Sequence, residues 1–383
     1  MNILNRITDR FSKMQPLPVG THHMRASLDE KPYRIHLRLH SDGSGILILN
    51  AATVLQLNPT AAEYAFHFIK GTAPEEAAKQ ISARYRVSKK TALEDFNNFA
   101  DQIHTLISTP DLDPASFLNF ERAQPHSTES TLRLDCAITY RLPEQTQAEY
   151  APVKRVDREL TTAEWQTIMD KAWQAGIPHI IFTGGEATLR EDLPQLIAHA
   201  EKNGQVCGLL TDGLKLADKN YLETLLQTGL DHVMLVLQPN EPLSWKAIEI
   251  IVPQDLFITV HFTLHKENVH EAVEILQKIA YLGVENISLS AADDNLVDEV
   301  LELQSTAQGL GLNIRWDLPV PYSSSHPVAI ETVDDEIPSG AGKTWMYIEP
   351  DGDVLPAQGE ADKVLGNLLN DDWETILKNS NKI

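Results

Sequence analysis

Apolar and polar positions along the chain fall into three successive regions, and the first is short. The apolar runs YRIHLRLH and GILILN lie on either side of SDGSG, which predicts a β-hairpin with a glycine-containing loop. Three segments with helical periodicity follow, and in the last of them Leu93, Phe96 and Ile103 fall along one face. We therefore predict a small, winged-helix-like module over residues 31–108, preceded by an N-terminal extension over residues 1–30.

The second region, residues 131–320, alternates apolar strands with amphipathic helices. Its strands include HIIFT, QVCGLLT and HVMLVLQ, and nearly every helix ends in glycine, as left-handed C-caps prefer. Repeated βα units give a parallel sheet through right-handed crossovers, which predicts an α/β fold with a partial or full barrel. Chemistry in such barrels lies at the carboxyl ends of the strands. There we expect two turns, GGE beginning at Gly184 and TDG beginning at Thr211.

Two further segments complete the predicted organisation. Residues 109–130 are rich in Pro, Asp and Ser, a composition typical of a linker. Residues 321–383 contain WMYIEPDGDVLPAQG, which predicts a hairpin whose turn begins at Pro350, and then KVLGNLLNDDWETIL, a turn and a short helix. The chain is thus predicted to consist of five segments.

Composition and charge narrow the classes of partner. The 383 residues carry a formal net charge of -22. Such a field repels nucleic acid and anionic membranes, so we expect neither as a partner. No stretch approaches the ~20 apolar residues that a membrane span needs, and the N-terminus lacks the pattern of a secretory signal. Because two cysteines are too few for a disulfide scaffold, we expect a cytoplasmic protein.

The first region resembles a known peptide-recognition module. Its order of elements and the run GILILNAATVLQLNPTAAEYAFHFIKG are similar to those of the PqqD-like domain. The resemblance implies recognition of the leader peptide of a ribosomally made precursor. It also implies that a leader strand adds to the exposed edge of the sheet and packs against the third helix. The alternative is a winged-helix-like fold without a ligand.

The second region resembles the radical S-adenosylmethionine (SAM) fold. FTGGEATLREDLPQLIAHAEKNG, LLTDG and LLQTGLDHVMLVLQ keep the order and spacing of that family, in which Thr-Asn-Gly is commoner than Thr-Asp-Gly. The resemblance implies a partial (β/α)6 TIM-like barrel. The C-terminal segment resembles the SPASM or twitch extension of the same enzymes, as a remnant with Ala357 where a cluster cysteine stands in the family.

The GGE turn has two open interpretations. In the family its glycines let the backbone approach the methionine part of SAM, and the glutamate or adjacent carbonyls receive the ammonium group. The alternative is that the turn serves the strand-to-helix geometry, with the carboxylate near a helix N-terminus. Similarly, the TDG aspartate either caps its turn or faces the cavity. The possible SAM or amino-ligand site consists of Gly184, Gly185, Glu186, Thr211 and Asp212.

The iron–sulfur motif of the family is incomplete. The family's [4Fe–4S] cluster needs three thiolates in C-x3-C-x2-C after the first strand. In LDCAITYRLPEQ the resemblance places Cys136 at the first position, Tyr140 at the second and Pro143 at the third. Proline cannot ligate, a phenolate is a poor substitute for a soft thiolate, and Cys207 lies in the third strand. We therefore expect no metal site, no [4Fe–4S] cluster and no tightly bound cofactor, with SAM left as a possible ligand.

Four other polar residues stand near predicted strand ends. His261 and His265 lie four residues apart without an acidic or cysteine partner at metal-site spacing, so we expect them in the core or at its rim. Asp293 and Asp294 follow a strand, which places them at the barrel mouth, with at least one capping a helix.

Three functions remain open from the sequence, and no catalytic residue is assigned. The first is a cluster-less radical SAM-like protein, a pseudoenzyme of ribosomal peptide modification. It binds a leader or precursor peptide, an active radical SAM paralogue, or both. The second is an enzyme that uses the barrel mouth for non-radical chemistry on SAM or an amino-bearing substrate held by Glu186. The third is a radical SAM enzyme whose cluster cysteines were replaced.

Overall fold

The computed structural model divides the chain into two compact units, Met1–Ala123 (unit 1) and Gln124–Ile383 (unit 2). Among the residues it describes, no helix is long and apolar enough to cross a membrane. The described residues are 17–28, 31–49, 53–108, 131–143, 157–254, 256–292, 294–314, 340–360 and 362–382.

Unit 1 contains a four-stranded antiparallel sheet in the order β1-β2-β3-β4, followed by three helices. The predicted hairpin forms, with Leu37 opposite Leu47. Each side of this hairpin is taken by another strand of the chain. Residues 20–28, assigned to an N-terminal extension from the sequence, form one of them and pair with β2 over nine residues. The elements are β1 (Gly20–Leu28), β2 (Lys31–Leu39), β3 (Gly45–Leu49), β4 (Thr53–Leu57), α1 (Pro59–Ile69), α2 (Pro74–Arg84) and α3 (Lys89–Ser108).

The helices of unit 1 begin and pack as their sequences dictate. Asn58 caps α1, because its side chain accepts a hydrogen bond from the amide of Ala61 at 2.9 Å. The apolar face of α3 contributes Ile103 and Leu106 to the core that covers one face of the sheet. The strand residues in that core alternate along each strand, so the opposite face of the sheet carries the other side chains.

Unit 2 is built on one sheet of ten strands, most of them parallel. From β5 to β11 the strands neighbour one another in chain order and alternate with helices, which confirms the predicted α/β fold class. At the other side of β5, the C-terminal segment adds β12 in parallel register, with Trp345 opposite Arg133. The predicted hairpin after Pro350 forms as β12 and β13. This segment therefore extends the barrel sheet within one compact unit.

The elements of unit 2 follow in chain order. They are β5 (Arg133–Ala137), α4 (Thr162–Gln174), β6 (His179–Thr183), α5 (Leu193–Asn203), β7 (Val206–Thr211), α6 (Lys219–Thr228), β8 (His232–Val236), α7 (Pro242–Ile251), β9 (Phe257–Leu264), α8 (Ala272–Tyr281), β10 (Asn286–Ala291), α9 (Val297–Gly309), β11 (Asn313–Ile314), β12 (Trp345–Ile348), β13 (Asp353–Leu355), β14 (Gly366–Asn367) and α10 (Trp373–Ser380).

Alternation along the barrel strands separates two environments. On β5, Leu134 and Cys136 pack with the helices in the large apolar core of unit 2. Arg133 and Asp135 project from the opposite face, where they form a buried ion pair at 2.8 Å. Burial raises the pKa of Asp135 to about 6, although Arg133 opposes that shift. The face of a strand on which a residue lies therefore decides whether it contacts the helix layer or the barrel interior.

Candidate functional site

The GGE turn after β6 packs against the loop that follows β5. Gly184 has a φ of +133°, and a Cβ atom there would lie 2.2 Å from the carbonyl oxygen of Thr139. A Cβ atom on Gly185 would lie 2.3 Å from the carbonyl oxygen of Arg141. The amide of Gly185 donates to Thr139 O at 2.7 Å. The two glycines are therefore required by the neighbouring backbone, and their contact with a ligand stays a prediction.

Glu186 lies at the centre of the polar contacts of this turn. It is buried, and its Oε1 atom accepts hydrogen bonds from Thr188 N at 3.0 Å, Thr188 Oγ1 at 2.5 Å and Thr211 Oγ1 at 2.7 Å. Its Oε2 atom accepts from the amide of Asp212 at 2.8 Å. Burial, followed by the nearby charge of Asp212, raises the pKa of Glu186 to about 7. The carboxylate thus connects the ends of β6 and β7.

The TDG turn after β7 is ordered by its own side chains. Thr211 Oγ1 accepts from the amide of Gly213 at 3.1 Å, and Asp212 Oδ1 accepts from the amide of Leu214 at 3.0 Å. The second contact agrees with the turn-capping interpretation of Asp212. The five residues proposed from the sequence as a ligand site therefore lie together at the carboxyl ends of β6 and β7, where hydrogen bonds join Glu186 to Thr211 and Asp212.

The loop after β5 is held by two carboxylates that the sequence analysis missed. Glu159 accepts hydrogen bonds from Thr139 Oγ1 and, at 3.3 Å, from the amide of Tyr140. Glu349, at the end of β12, accepts from the Tyr140 hydroxyl at 2.6 Å. No sequence signal pairs residues 140 and 349, since 209 positions separate them. The loop is thus fixed by side chains from distant parts of unit 2.

Arg190 is a further positioning residue that the sequence analysis missed. It is buried, donates through Nη1 to the carbonyl oxygens of Ile138 and Leu160 at 2.9 Å each, and pairs with Asp192 at 2.6 Å. The sequence signal that could have indicated this ion pair is the Arg-x-Asp spacing shortly after the GGE turn. The guanidinium fixes two backbone segments beside the mouth.

Neither cysteine lies at the barrel mouth. Cys136 and Cys207 are fully buried and pack in the apolar core between sheet and helices. Burial raises the pKa of the Cys136 thiol well above its usual range. The resemblance placed Cys136 at the first cluster position, which stays a prediction; in the structure the residue lies within β5, on the helix-facing side. Tyr140 lies at the mouth but donates to Glu349, and Pro143 ends the described part of the loop.

The donors available at the mouth do not fit a cluster held by three thiolates. Within the described ranges, no group of three or more His, Cys, Asp or Glu side chains is arranged to hold a metal ion. The thiols of the chain face the helix layer, and the carboxylates of the mouth bind backbone and side-chain donors. We therefore derive no chemical step through a cluster.

Two of the remaining sequence candidates, His261 and His265, make their hydrogen bonds outside these turns. His261 is buried as expected, with its ring nitrogens 3.2 Å from Ser288 Oγ and 3.1 Å from Thr263 Oγ1. His265 follows the end of β9, where its amide contacts Asn268. Asp293 and the side chain of Asp294 lie outside the described residues.

Comparison with known proteins agrees with this geometry. Residues 136–243 match the model of the radical SAM superfamily. This stretch of the chain is therefore similar to a radical SAM domain. The match covers less than a third of the chain, and it contains both the GGE and the TDG turns.

Curated relatives include two enzymes named PqqA peptide cyclase. The protein from Granulibacter bethesdensis is 28% identical over 240 residues, which cover 58% of this chain and 60% of that protein. The protein from Streptomyces rochei is 27% identical over 244 residues, which cover 57% of this chain and 67% of that protein. The matched part of the chain thus spans between 60% and 67% of the length of these two relatives.

Two solved structures share the fold. Streptococcus suis SuiB bound to the precursor peptide SuiA is 14% identical, with a TM-score of 0.58 over 92% of this chain and 88% of that chain. The enzyme anSMEcpe with bound AdoMet, which is SAM, is 12% identical, with a TM-score of 0.51 over 66% of this chain and 79% of that chain. At these identities the likeness shows the fold alone.

These comparisons contradict the expectation of no tightly bound cofactor and no [4Fe–4S] cluster. Residues 136–243 match the radical SAM model, and SAM-bound structures are among those that share the fold of the chain. That expectation was wrong because it was inferred from the missing thiolates of the C-x3-C-x2-C motif alone. Both the GGE and the TDG turns lie within the matched residues, and the cysteines of the motif say nothing about these turns.

Proposed function

We propose that this protein binds a precursor peptide and a SAM-type ligand in the modification of a ribosomally made peptide. The observation that carries this proposal is the likeness to SuiB over 92% of the chain. Unit 2 alone is too short to account for that coverage, since unit 1 comprises the first 123 of 383 residues. The likeness therefore extends into unit 1, and the SuiB structure was solved with a precursor peptide bound.

Unit 1 is the proposed peptide-binding part, as a PqqD-like domain. Among the residues that the structure describes, its sheet ends in two edge strands, β1 on one side and β4 on the other. An edge strand presents backbone donors and acceptors that a peptide strand can pair with. One side of β1 is already paired with β2, so a peptide strand can pair only with the open side of β1 or with the open side of β4. Helices α1 to α3 follow β4 directly in the chain.

The barrel mouth is the proposed site of the SAM-type ligand. The GGE and TDG turns are held in one network by Glu186, and they lie at the strand ends where barrels of this class bind ligands. Two carboxylates, Glu186 and Asp212, lie within that network and favour a ligand with an amino group. Gly184, Gly185 and Thr211 complete the proposed site.

For the role of the chain we propose a pseudoenzyme that binds the peptide. It either acts by itself or presents the bound peptide to an active radical SAM paralogue. The side chains of Cys136 and Cys207 support this role, because both face the helix layer and neither thiol is placed to take part in chemistry at the mouth. The SPASM-like C-terminal hairpin, with Ala357, has no thiol to contribute either. A cytoplasmic location and the exclusion of nucleic acid rest on composition alone.

One observation favours a second candidate, an enzyme with non-radical chemistry at the mouth. Glu186 has its pKa raised to about 7, which is the range in which a carboxyl group serves as a general acid or base near neutral pH. A steady turnover of SAM or of an amino-bearing substrate that is lost in Glu186→Gln would support this candidate.

The peptide proposal is tested with the full-length protein and fluorescently labelled precursor peptides encoded beside its gene. Anisotropy should give saturable binding of one of them and no binding of a scrambled peptide of the same composition. Hydrogen–deuterium exchange should then fall in β4 or in β1, which identifies the edge. If no peptide binds, or if protection falls only in unit 2, strand addition to unit 1 is overturned.

The pseudoenzyme role has a separate test. The protein is supplied with iron, sulfide and SAM under anaerobic, reducing conditions, and 5′-deoxyadenosine is measured. We expect none above a protein-free control. Stoichiometric formation would assign radical chemistry to this chain and overturn the proposed role, while leaving peptide binding intact.

A further inference from the structure

The two oxygens of the Glu186 carboxylate are used unequally. Oε1 accepts three hydrogen bonds, two from Thr188 and one from Thr211, and Oε2 accepts the amide of Asp212. A carboxylate offers about four lone-pair positions in all. Every one of these donors belongs to the protein, so the carboxylate is largely committed to the backbone and hydroxyl groups around it.

Through these contacts Glu186 connects three strand ends. Its amide donates to the carbonyl oxygen of Arg141 in the loop after β5, at 2.7 Å. Its carboxylate binds Thr211 and Asp212 at the end of β7. Thr188, which follows Glu186 in the chain, is also bound by a residue after β7, because Lys215 Nζ donates to the Thr188 carbonyl oxygen at 2.8 Å. Glu186 therefore determines where the TDG turn lies.

The other carboxylates near the mouth serve the loop after β5. Glu159 accepts from Thr139 and Tyr140, and Glu349 accepts from the Tyr140 hydroxyl. Asp212 differs from both, because it lies on the turn that Glu186 holds, and it is an acid where the resembling family more often has asparagine. This chain thus adds a negative charge beside Glu186, at the carboxyl end of β7.

We propose that Asp212 provides the negative charge that receives the amino group of the ligand, and that Glu186 is a positioning residue that acts through the TDG turn. This rests on the proposed function, in which the mouth binds a SAM-type ligand. Electrostatics supports the division of roles. Burial and the nearby charge of Asp212 raise the pKa of Glu186 to about 7, which disfavours a negative charge on Glu186.

The test compares S-adenosylhomocysteine with an analogue in which hydrogen replaces the α-amino group, by calorimetry on the full-length protein. Wild type should prefer the amino form by about tenfold or more, as a charge-assisted hydrogen bond predicts. Asp212→Asn keeps an acceptor for the amide of Leu214 and should reduce this preference to about twofold or less. Glu186→Gln should weaken both ligands by a similar factor and keep the preference.

Thr211→Val is a second variant of the positioning contact, since it removes one donor to Glu186 with little change in volume. It should behave as Glu186→Gln does. The opposite pattern, in which Glu186→Gln abolishes the preference and Asp212→Asn keeps it, would overturn the assignment.

A structural measurement separates failure of this inference from failure of the proposed function. If wild type binds neither ligand, the SAM-type site itself is refuted, and with it the role of Asp212. The positioning role of Glu186 is then still measured by hydrogen–deuterium exchange without ligand. Glu186→Gln should speed exchange of the Asp212 and Gly213 amides, and Asp212→Asn should leave the Asp212 amide protected. Unchanged exchange in Glu186→Gln refutes the positioning role.

Discussion

The loop after β5 and the turn after β6 meet at the barrel mouth, but they are fixed in different ways. The turn after β6 depends on two glycines that leave no room for a side chain against the neighbouring backbone, and on one carboxylate with local donors. The loop after β5 depends on hydrogen bonds to Glu159 and Glu349, which come from elsewhere in unit 2. The two halves of this mouth are therefore under separate physical constraints. One half is set by backbone sterics, and the other by replaceable side-chain contacts.

The largest expected effect comes from adding a methyl group to the turn after β6. In Gly185→Ala the new Cβ would meet the carbonyl oxygens of Arg141 and Tyr140 at 2.3 and 2.7 Å. Backbone atoms cannot move aside without breaking the contacts of both segments, so we expect a loss of more than about 3 kcal/mol in the free energy of unfolding. Urea unfolding measures it.

Gly309→Ala is the matched control, because a Cβ there meets no atom within 4 Å and the residue ends helix α9. It should be neutral or stabilising by up to about 1 kcal/mol. Equal effects of the two substitutions would show that the close approach of the turn and the loop is unimportant.

A smaller effect is expected from the pH dependence of the Glu186 contacts. Its pKa rises from the usual 4.5 to about 7 on folding, so its contribution to stability is complete below pH 4.5 and is lost as the pH rises through 7. The total change is on the order of 3 kcal/mol. Glu186→Gln cannot ionise, and the stability of wild type relative to this variant should therefore fall between pH 4.5 and pH 7 and then level off. A constant difference between them would contradict the raised pKa.

The loop after β5 should be less sensitive. Tyr140→Phe removes the hydroxyl that donates to Glu349 at 2.6 Å and leaves that buried carboxylate short of one donor. We expect a cost of about 1–2 kcal/mol in the free energy of unfolding. Tyr281→Phe, on a side chain that is 89% exposed, should change it by less than about 0.5 kcal/mol. If neither variant changes the free energy of unfolding, Glu349 does not fix the loop.

The smallest effect concerns the cysteine of β5. Cys136→Ala removes a buried thiol from the helix-facing core, which should cost about 1 kcal/mol. SAM affinity, measured by calorimetry, should stay within about twofold of wild type. A loss of SAM affinity or of bound iron in this variant would place the thiol at the mouth and contradict the division between the two faces of β5.

Local patterns made much of this fold predictable. The parallel sheet followed from alternating strands and glycine-ended helices, and the neighbouring positions of Glu186 and Thr211 followed from the rule that strand ends share one edge. Strand β1 was missed because its alternation is weak, with His22 on the core-facing side beside Met24 and Ala26.

The rest of the site was beyond sequence reasoning for two physical reasons. The partners of Tyr140 and Thr139 depend on contacts across long sequence separations, which no local pattern encodes. The environment of Cys136 depends on where β5 ends. The strand continues to Ala137, so alternation turns the thiol toward the helices, whereas an ending one or two residues earlier would have placed it in the loop.

The parallel pairing of β5 with β12 has a consequence for biosynthesis. Arg133 leaves the ribosome more than two hundred residues before its partner Trp345. At about 5–20 residues per second, one side of β5 waits roughly 10–40 s for its neighbour. During that interval an apolar strand with an open edge is exposed to other nascent chains, so the barrel should depend on chaperones until its C-terminal hairpin is made.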